Sequence, residues 1–293
     1  MNWHVLLRRL EGAYSDHTIR AYRSDFAHFA NWCRRKRLKA LPAEPSTVAR
    51  FVDGHCETLK FSSIKRKLVA VKKLHRLAGF EAIADDEEVL LAVRRAKRSQ
   101  PGRPRQALGI TFERRERLMA QCSEDLSGLR DRVLIAVGFD TLCRRSELVA
   151  LRVEDFHLNP GGTMSVLVRR AKNDQEGLGR MAHLSAETTA LVQEWIAAAE
   201  QMHGPLLRPV YKDKIACRYL SPTIVASVLK RLSRLAYDVE TAKEVTGHSL
   251  RVGAAQTLTA RGVGLLPIMS AGGWRSINTV AKYVENVDIN LWQ

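Results

Sequence analysis

The sequence predicts a mainly α-helical chain of two domains, with a small β-hairpin or sheet in the second. Three observations carry this. At 293 residues the chain is long enough for two cores, and apolar residues recur at helical spacing through much of it. The stretch Ser99-Gln100-Pro101-Gly102-Arg103-Pro104-Arg105-Gln106 interrupts the pattern with two prolines and a glycine. Met164-Ser165-Val166-Leu167-Val168 reads as a strand and runs into the turn-formers of Arg170-Ala171-Lys172-Asn173-Asp174.

Residues 1–98 read as helices throughout. The first, Asp16–Arg37, carries Ile19, Tyr22, Phe26 and Phe29 at helical spacing. Pro45-Ser46 opens the second, with Ser46 as its N-cap. Ser62-Ser63 opens the third. Ile64, Leu68, Val71 and Leu74 form its apolar stripe, with Lys65, Arg66, Lys72, Lys73 and Arg76 outside it. The fourth is Asp85–Arg98, and the acidic run 85–88 suits a first helical turn. Residues 99–107 form a basic linker. Over 108–293 the chain predicts a helix from Thr111, a buried one around Arg130–Phe139, the Arg144 segment and a hairpin over 164–184. Helices at 185–202, 221–236, 249–261 and 276–285 follow, with Pro205 and Pro209 breaking a connection among them.

The net charge is +16, with +10 over residues 1–98 and +4 over 108–293. A basic excess of this size favours a polyanionic partner, most simply DNA. Five cysteines, an odd number without a CxxC pair, argue against a disulfide framework or a zinc site. No apolar stretch has signal-peptide character or the length to span a membrane. A soluble, cytoplasmic chain is expected.

The chemistry gathers in a few short motifs. His248 and Arg251 stand three apart in Gly247-His248-Ser249-Leu250-Arg251, as Arg144 and Glu147 do in Arg144-Arg145-Ser146-Glu147. On a helix that spacing brings two side chains to one ligand. Arginine beside histidine suits a phosphate, since the guanidinium offers a planar fork of donors and keeps its charge. Lys172, at the hairpin tip, can swing into such a site as a proton donor. Gly273-Trp274 and then Tyr283 follow, and a tyrosine within the same run of helices supplies a nucleophile for the clamp.

Arg144, Lys172, His248, Arg251, Trp274 and Tyr283 fall in the order of the catalytic set of the tyrosine recombinases, also called the phage integrase family. The stretches Gly247–Ala255, Ala271–Trp274, Ser15–Thr18, Trp32-Cys33, Pro42–Pro45 and Leu74–Arg76 resemble its Cre-like branch, so the likeness covers nearly the whole chain. It implies a two-domain, C-shaped clamp: a helical, SAM-like core-binding domain (1–98), the linker (99–107) and an α+β catalytic domain (108–293). It further implies site-specific DNA strand cleavage and rejoining at inverted-repeat sites, through a 3′-phosphotyrosine intermediate and a Holliday junction.

No cofactor, ATP or metal is implied. Tyr283 is the implied nucleophile, Arg144 and Arg251 the phosphate clamp, and Lys172 the general acid. His248 and Trp274 are implied as further donors, with Glu147 orienting the clamp. Arg20, Ser62, Arg66, Arg103, Arg105, Thr223 and Lys230 are implied DNA contacts. Thr223 stands near a position where a relative reads bases with arginine, so the target site is expected to differ. The partners are a double-stranded target with inverted repeats, a homodimer on each site and a homotetramer in the synapse. The sequence specifies no accessory protein. The absence of room before Ser15 for an arm-binding domain favours a simple recombinase, and Ile289, Leu291 and Trp292 suggest a tail that plugs a partner's pocket. A type IB topoisomerase and a non-catalytic DNA-binding regulator are the competing expectations.

Overall fold

The computed structural model describes residues 2–80, 83, 85–100, 102, 106–169, 179–212, 214–285 and 287. The chain divides into two units, Met1–Pro104 and Arg105–Gln293. Lys172, Arg103, Arg105 and the tail residues Ile289, Leu291 and Trp292 lie outside the described residues.

The first unit holds helices α1 (Trp3–Arg8), α2 (Asp16–Arg35), α3 (Pro45–Asp53), α4 (Phe61–Leu77) and α5 (Glu87–Arg98). Ser15 caps α2 by accepting the Thr18 N–H at 3.3 Å. α2 packs on α4, and α3 on α5. Phe26, Phe29, Phe51, Ile64 and Leu74 are fully buried between them. Phe51 stands edge-on to Phe29 and Trp32, at 5.1 and 5.4 Å; each such buried side chain contributes about 1.5–3 kcal/mol. Asp25, also buried, accepts from Arg66 Nε at 2.7 Å, Arg66 Nη2 at 2.9 Å and Lys67 Nζ at 3.2 Å, tying α2 to α4.

Several helix starts differ from the sequence reading. Glu44, not Ser46, is the N-cap of α3, because Pro45 takes the first helical position, where a missing N–H costs nothing. α4 begins at Phe61, one residue before the serines. Asp86 caps α5, while Asp85 stays outside the helix and pairs with Lys72 at 2.7 Å. The six-residue α1 is too short to show a period.

His75 sets an acid limit on this unit. It is buried, donates from Nδ1 to the Val71 carbonyl at 2.8 Å and accepts the Ala43 N–H on Nε2 at 2.9 Å. Burial holds its pKa below the usual 6.5. The neutral ring's contribution is therefore complete above pH 6.5 and is lost as pH falls from there through the lower folded-state value. We expect the wild type to lose up to about 1.4 kcal/mol per pH unit below pH 6.5 from this group. His75→Gln should flatten that part of the slope in thermal melts; an unchanged slope would refute the assignment.

The second unit opens with α6 (Phe112–Met119), α7 (Leu126–Asp140) and α8 (Arg145–Leu148). Val133, Leu134, Ile135 and Val137 are all fully buried, so the second half of α7 is covered on all sides and runs through the core. A 3₁₀ turn at Val153–Asp155 leads into β1 (Phe156–Leu158), β2 (Met164–Val168) and β3 (Arg180–His183), an antiparallel sheet in that order. The sequence predicted only the β2–β3 pair. Three residues after a charged run give β1 no visible alternation, although Asn159-Pro160-Gly161-Gly162 marks its turn.

Next come α9 (Ala186–Ala198), a second hairpin of β4 (Val210–Tyr211) and β5 (Lys214–Ile215), α10 (Pro222–Ala236) and α11 (Val239–Glu244). α12 (Ser249–Ala260), α13 (Leu265–Gly272) and α14 (Ile277–Val284) close the unit. The short α11, the second hairpin and α13 were not foreseen, and α9 stops four residues before the expected 202. α12 packs on α7 and α14. Gly253 of α12 permits a close approach of the segment before α6, since a Cβ would come 1.9 Å from the Ile110 carbonyl oxygen. Ile110 N–H in turn donates to the Ser249 carbonyl at 2.9 Å. No helix among the described residues is long and apolar enough to cross a membrane.

Candidate active site

Both i, i+3 pairs lie at helix starts. Arg144 is the N-cap of α8 and Glu147 its third residue; His248 is the N-cap of α12 and Arg251 its third residue. The spacing thus joins a cap to the first turn rather than two points on one helix face. In the first pair, Glu147 Oε2 accepts the Arg144 backbone N–H at 3.0 Å, half of a capping box. Its Oε1 accepts Arg144 Nη1 at 2.6 Å. The carboxylate is buried and the guanidinium largely so.

Such a charge-assisted bond contributes about 1.5–3 kcal/mol, or one to two decades in rate if it is needed to aim Arg144. We expect Glu147→Ala to slow the reaction of this site by about 10- to 100-fold at unchanged ligand affinity, and Glu147→Gln to slow it less. Equal rates for all three proteins in single-turnover assays would remove Glu147 from the site.

Arg251 is 1% exposed. Its Nη1 donates to the Leu142 carbonyl, and its guanidinium lies 3.8 Å from the centre of the Trp274 ring. Nε and Nη2 are buried and have no hydrogen-bond partner among the described residues. Burial, and then the nearby Arg144 charge, push this guanidinium down to about 10, with Glu147 and Tyr283 opposing. Leu142 itself has φ +50°, a left-handed conformation unusual for a leucine. That twist sets the loop between α7 and α8, two residues before Arg144.

Trp274 follows α13. Gly273 ends that helix at φ +65°, and Trp274 N–H reaches back to the Met269 carbonyl at 2.9 Å, a Schellman closure. The indole covers Gly272, where a Cβ would come 2.0 Å from the ring. Tyr283, on α14, is half-buried with its ring centre 5.3 Å from that of Trp274. Its backbone carbonyl accepts Gln106 Nε2 at 3.2 Å. His248 is exposed, yet partial desolvation of its ring, followed by the charges of Arg145, Arg251 and Arg144, holds it below the usual imidazole range.

The fold therefore gathers Arg144, Glu147, His248, Arg251, Trp274 and Tyr283 from α8, α12, the α13–α14 turn and α14. Arg169, a neighbour of Lys172, is held by buried Asp155 at 2.6 Å. Arg20 and Ser62 are exposed on α2 and α4; Arg66 is exposed but bound through two nitrogens to Asp25. Thr223 is exposed in the first turn of α10, with Lys230 half-buried further along. One charged residue was missed. Arg180 enters the same region from β3, and the signal was its alternation with buried Ala182, which turns a charge toward the core. Among the described residues, no group of three or more His, Cys, Asp or Glu side chains is placed to hold a metal ion.

The phage integrase family pattern matches residues 109–288, and the N-terminal SAM-like domain of phage integrases matches residues 7–81. The chain belongs to the phage integrase family. It is 31% identical to an integrase/recombinase XerD homologue of Selenomonas ruminantium, over 96% of this chain and 85% of that protein. To the recombinase Cre of Escherichia phage P1 it is 29% identical, over 94% of this chain and 86% of Cre. Among solved structures, the Tn1549 transposon integrase in complex with transposon right-end DNA shares the fold at a TM-score of 0.69. That match has 14% identity and covers 97% of this chain and 94% of that one. The XerH recombinase bound to its difH substrate gives a TM-score of 0.65 at 19% identity, covering 90% and 74%. The enzyme is thus a tyrosine recombinase similar to Cre, which cleaves and rejoins DNA strands.

Proposed function

We propose that Tyr283 is the nucleophile of this recombinase and that Arg144 and Arg251 hold the scissile phosphate. The observation that carries this is Arg251: it is fully buried and fixed by the Leu142 carbonyl and the Trp274 ring, with Nε and Nη2 unpaired among the described residues. Buried donors ordinarily find acceptors, and the two non-bridging oxygens of a phosphodiester match a guanidinium fork.

Tyr283 Oη forms the bond to phosphorus as the bond to the DNA 5′-oxygen breaks, leaving a 3′-phosphotyrosine. The tyrosine gives up its proton and the departing 5′-oxygen gains one from Lys172, the general acid. His248 donates to a phosphate oxygen and manages the tyrosine's proton, and the Trp274 indole N–H is a further donor. Attack by a 5′-hydroxyl from the partner duplex reverses the step and exchanges strands through a Holliday junction. The ester energy stays in the phosphotyrosine, so the reaction draws on neither ATP nor metal.

The target is duplex DNA with short inverted repeats, bound by a dimer and brought into synapsis as a tetramer. Residues 1–98 and the 99–107 linker grip it, with Arg20, Ser62, Arg66, Arg103 and Arg105 facing DNA, joined by Thr223 and Lys230. The net +10 of residues 1–98 supports this.

Covalent capture tests the reading. Protein is incubated with fragmented DNA of its source organism in chelator and denatured, and the adducts are sequenced beside a Tyr283→Phe control. Tyrosine-dependent adducts at a few loci flanked by inverted repeats are expected. Adducts scattered at random would identify a topoisomerase instead.

A further inference from the structure

Arg180 opens β3 in register with Val168 of β2, on the face that also carries Val166 and Ala182, all three buried. A guanidinium turned that way needs acceptors, and its two terminal nitrogens find them beyond the sheet, while the buried Nε has none among the described residues. Nη1 donates to the Ala271 carbonyl at 2.5 Å, in the last turn of α13. Nη2 donates to the Thr141 carbonyl at 2.7 Å and lies 3.5 Å from Cys143 Sγ. Thr141 and Cys143 flank Leu142, whose own carbonyl takes Arg251 Nη1. Two arginines therefore hold one turn, and Arg144 is its next residue.

The other end of the fork is equally specific. Ala271 precedes Gly272, Gly273 and Trp274, and a Cβ on Gly273 would come 3.1 Å from Arg180 Cδ and 3.3 Å from its Nε. Gly273 is thus needed for its left-handed φ and for the room it leaves Arg180. The left-handed Leu142 belongs to the same assembly, since such a backbone persists only where its surroundings over-determine it.

We infer that Arg180 is a positioning residue for phosphoryl transfer. Its fork clamps the Thr141–Cys143 turn to the Ala271–Trp274 turn and so fixes Arg144 relative to the Arg251–Trp274–Tyr283 stack. This rests on the function proposed above. A lysine cannot replace the clamp, because one ammonium lacks the rigid, divergent donors that reach two carbonyls on separate elements.

The test uses the full chain with Arg180→Lys and Arg180→Met, the latter keeping the aliphatic stem. Without DNA, hydrogen–deuterium exchange in peptides covering 141–148 and 269–276 should speed up by about ten-fold in both variants, with peptides of residues 2–80 unchanged. With DNA, the probe is a synthetic duplex of the locus that the wild type captures most strongly. Single-turnover covalent-complex formation should fall by about 100-fold, the scale of a small misplacement of reacting groups, while Kd for that duplex stays within about three-fold. Unchanged exchange in both peptides overturns the clamp. So does a lysine variant that cleaves at the wild-type rate, or a loss of rate matched by an equal loss of affinity. A wild type that forms no Tyr283-dependent adduct sinks the recombinase chemistry instead, and the exchange data then decide the clamp alone.

Discussion

Tyr283→Phe should lower strand cleavage by about 10⁵-fold or more, the scale of removing a covalent nucleophile, and leave DNA affinity within about two-fold. The structure says why the loss will be confined to chemistry. The ring that packs against Trp274 is kept, and the bond from Gln106 goes to the backbone carbonyl of residue 283, which substitution leaves in place. No hydrogen bond among the described residues uses the phenolic oxygen, so the melting temperature should be nearly unchanged. Denaturing gels count the covalent complex and gel shifts give the affinity. Cleavage that persists in the phenylalanine variant would mean that another residue attacks phosphorus.

Much of this site was legible because its chemistry is written locally. Arg144 with Glu147, and His248 with Arg251, each sit within four residues, and a helix start converts that spacing into proximity whatever the rest of the fold does. Their geometry was nevertheless not the one the spacing suggested. Each pair joins an N-cap to the third residue of a helix, which is how Glu147 comes to bind both the backbone and the side chain of Arg144. The helices of residues 1–98 were legible for a related reason, since Phe26, Phe29, Ile64 and Leu74 mark their buried faces by period alone.

What could not be read depends on partners distant in the chain. Arg180 reaches acceptors in Thr141 and Ala271 that no local pattern connects to it. The left-handed Leu142 carries no sequence signal, because leucine is a poor choice for that conformation and takes it only under tertiary constraint. β1, β4, β5 and α11, of two to six residues each, are too short to show a period of their own. The misplaced cap of α3 is a smaller case. Proline at the first helical position outranks a serine one residue later, and the sequence holds both.

Arg251→Met should abolish measurable recombination while leaving the second unit as stable as before, or more so. Arg251 is charged in a place that disfavours charge: burial and the neighbouring Arg144 bring its pKa well below the usual guanidinium range, down to about 10. For a base the sign is clear. The folded state binds its proton less tightly than the unfolded state, so the charge destabilises the fold at neutral pH, and the penalty is relieved only as pH rises through about 10. At 1.36 kcal/mol per unit the shift corresponds to a cost on the order of 3 kcal/mol. Methionine removes that cost and keeps apolar contact with Trp274. It gives up the bond to Leu142, about 1 kcal/mol, and the cation–π contact, about 1–2 kcal/mol. The balance lies between neutral and about 1 kcal/mol stabilising, a rise of up to about 4 °C in melting temperature. Cleavage should fall by at least about 10²–10³-fold, the measured scale for losing one preorganised donor to a developing charge. Calorimetry and single-turnover cleavage on the same preparations decide the matter. A fall of more than about 3 °C would show that Arg251 chiefly holds the fold together. A variant that stays stable but cannot cleave would identify Arg251 as a buried charge kept, against the stability of the domain, for the phosphate it binds.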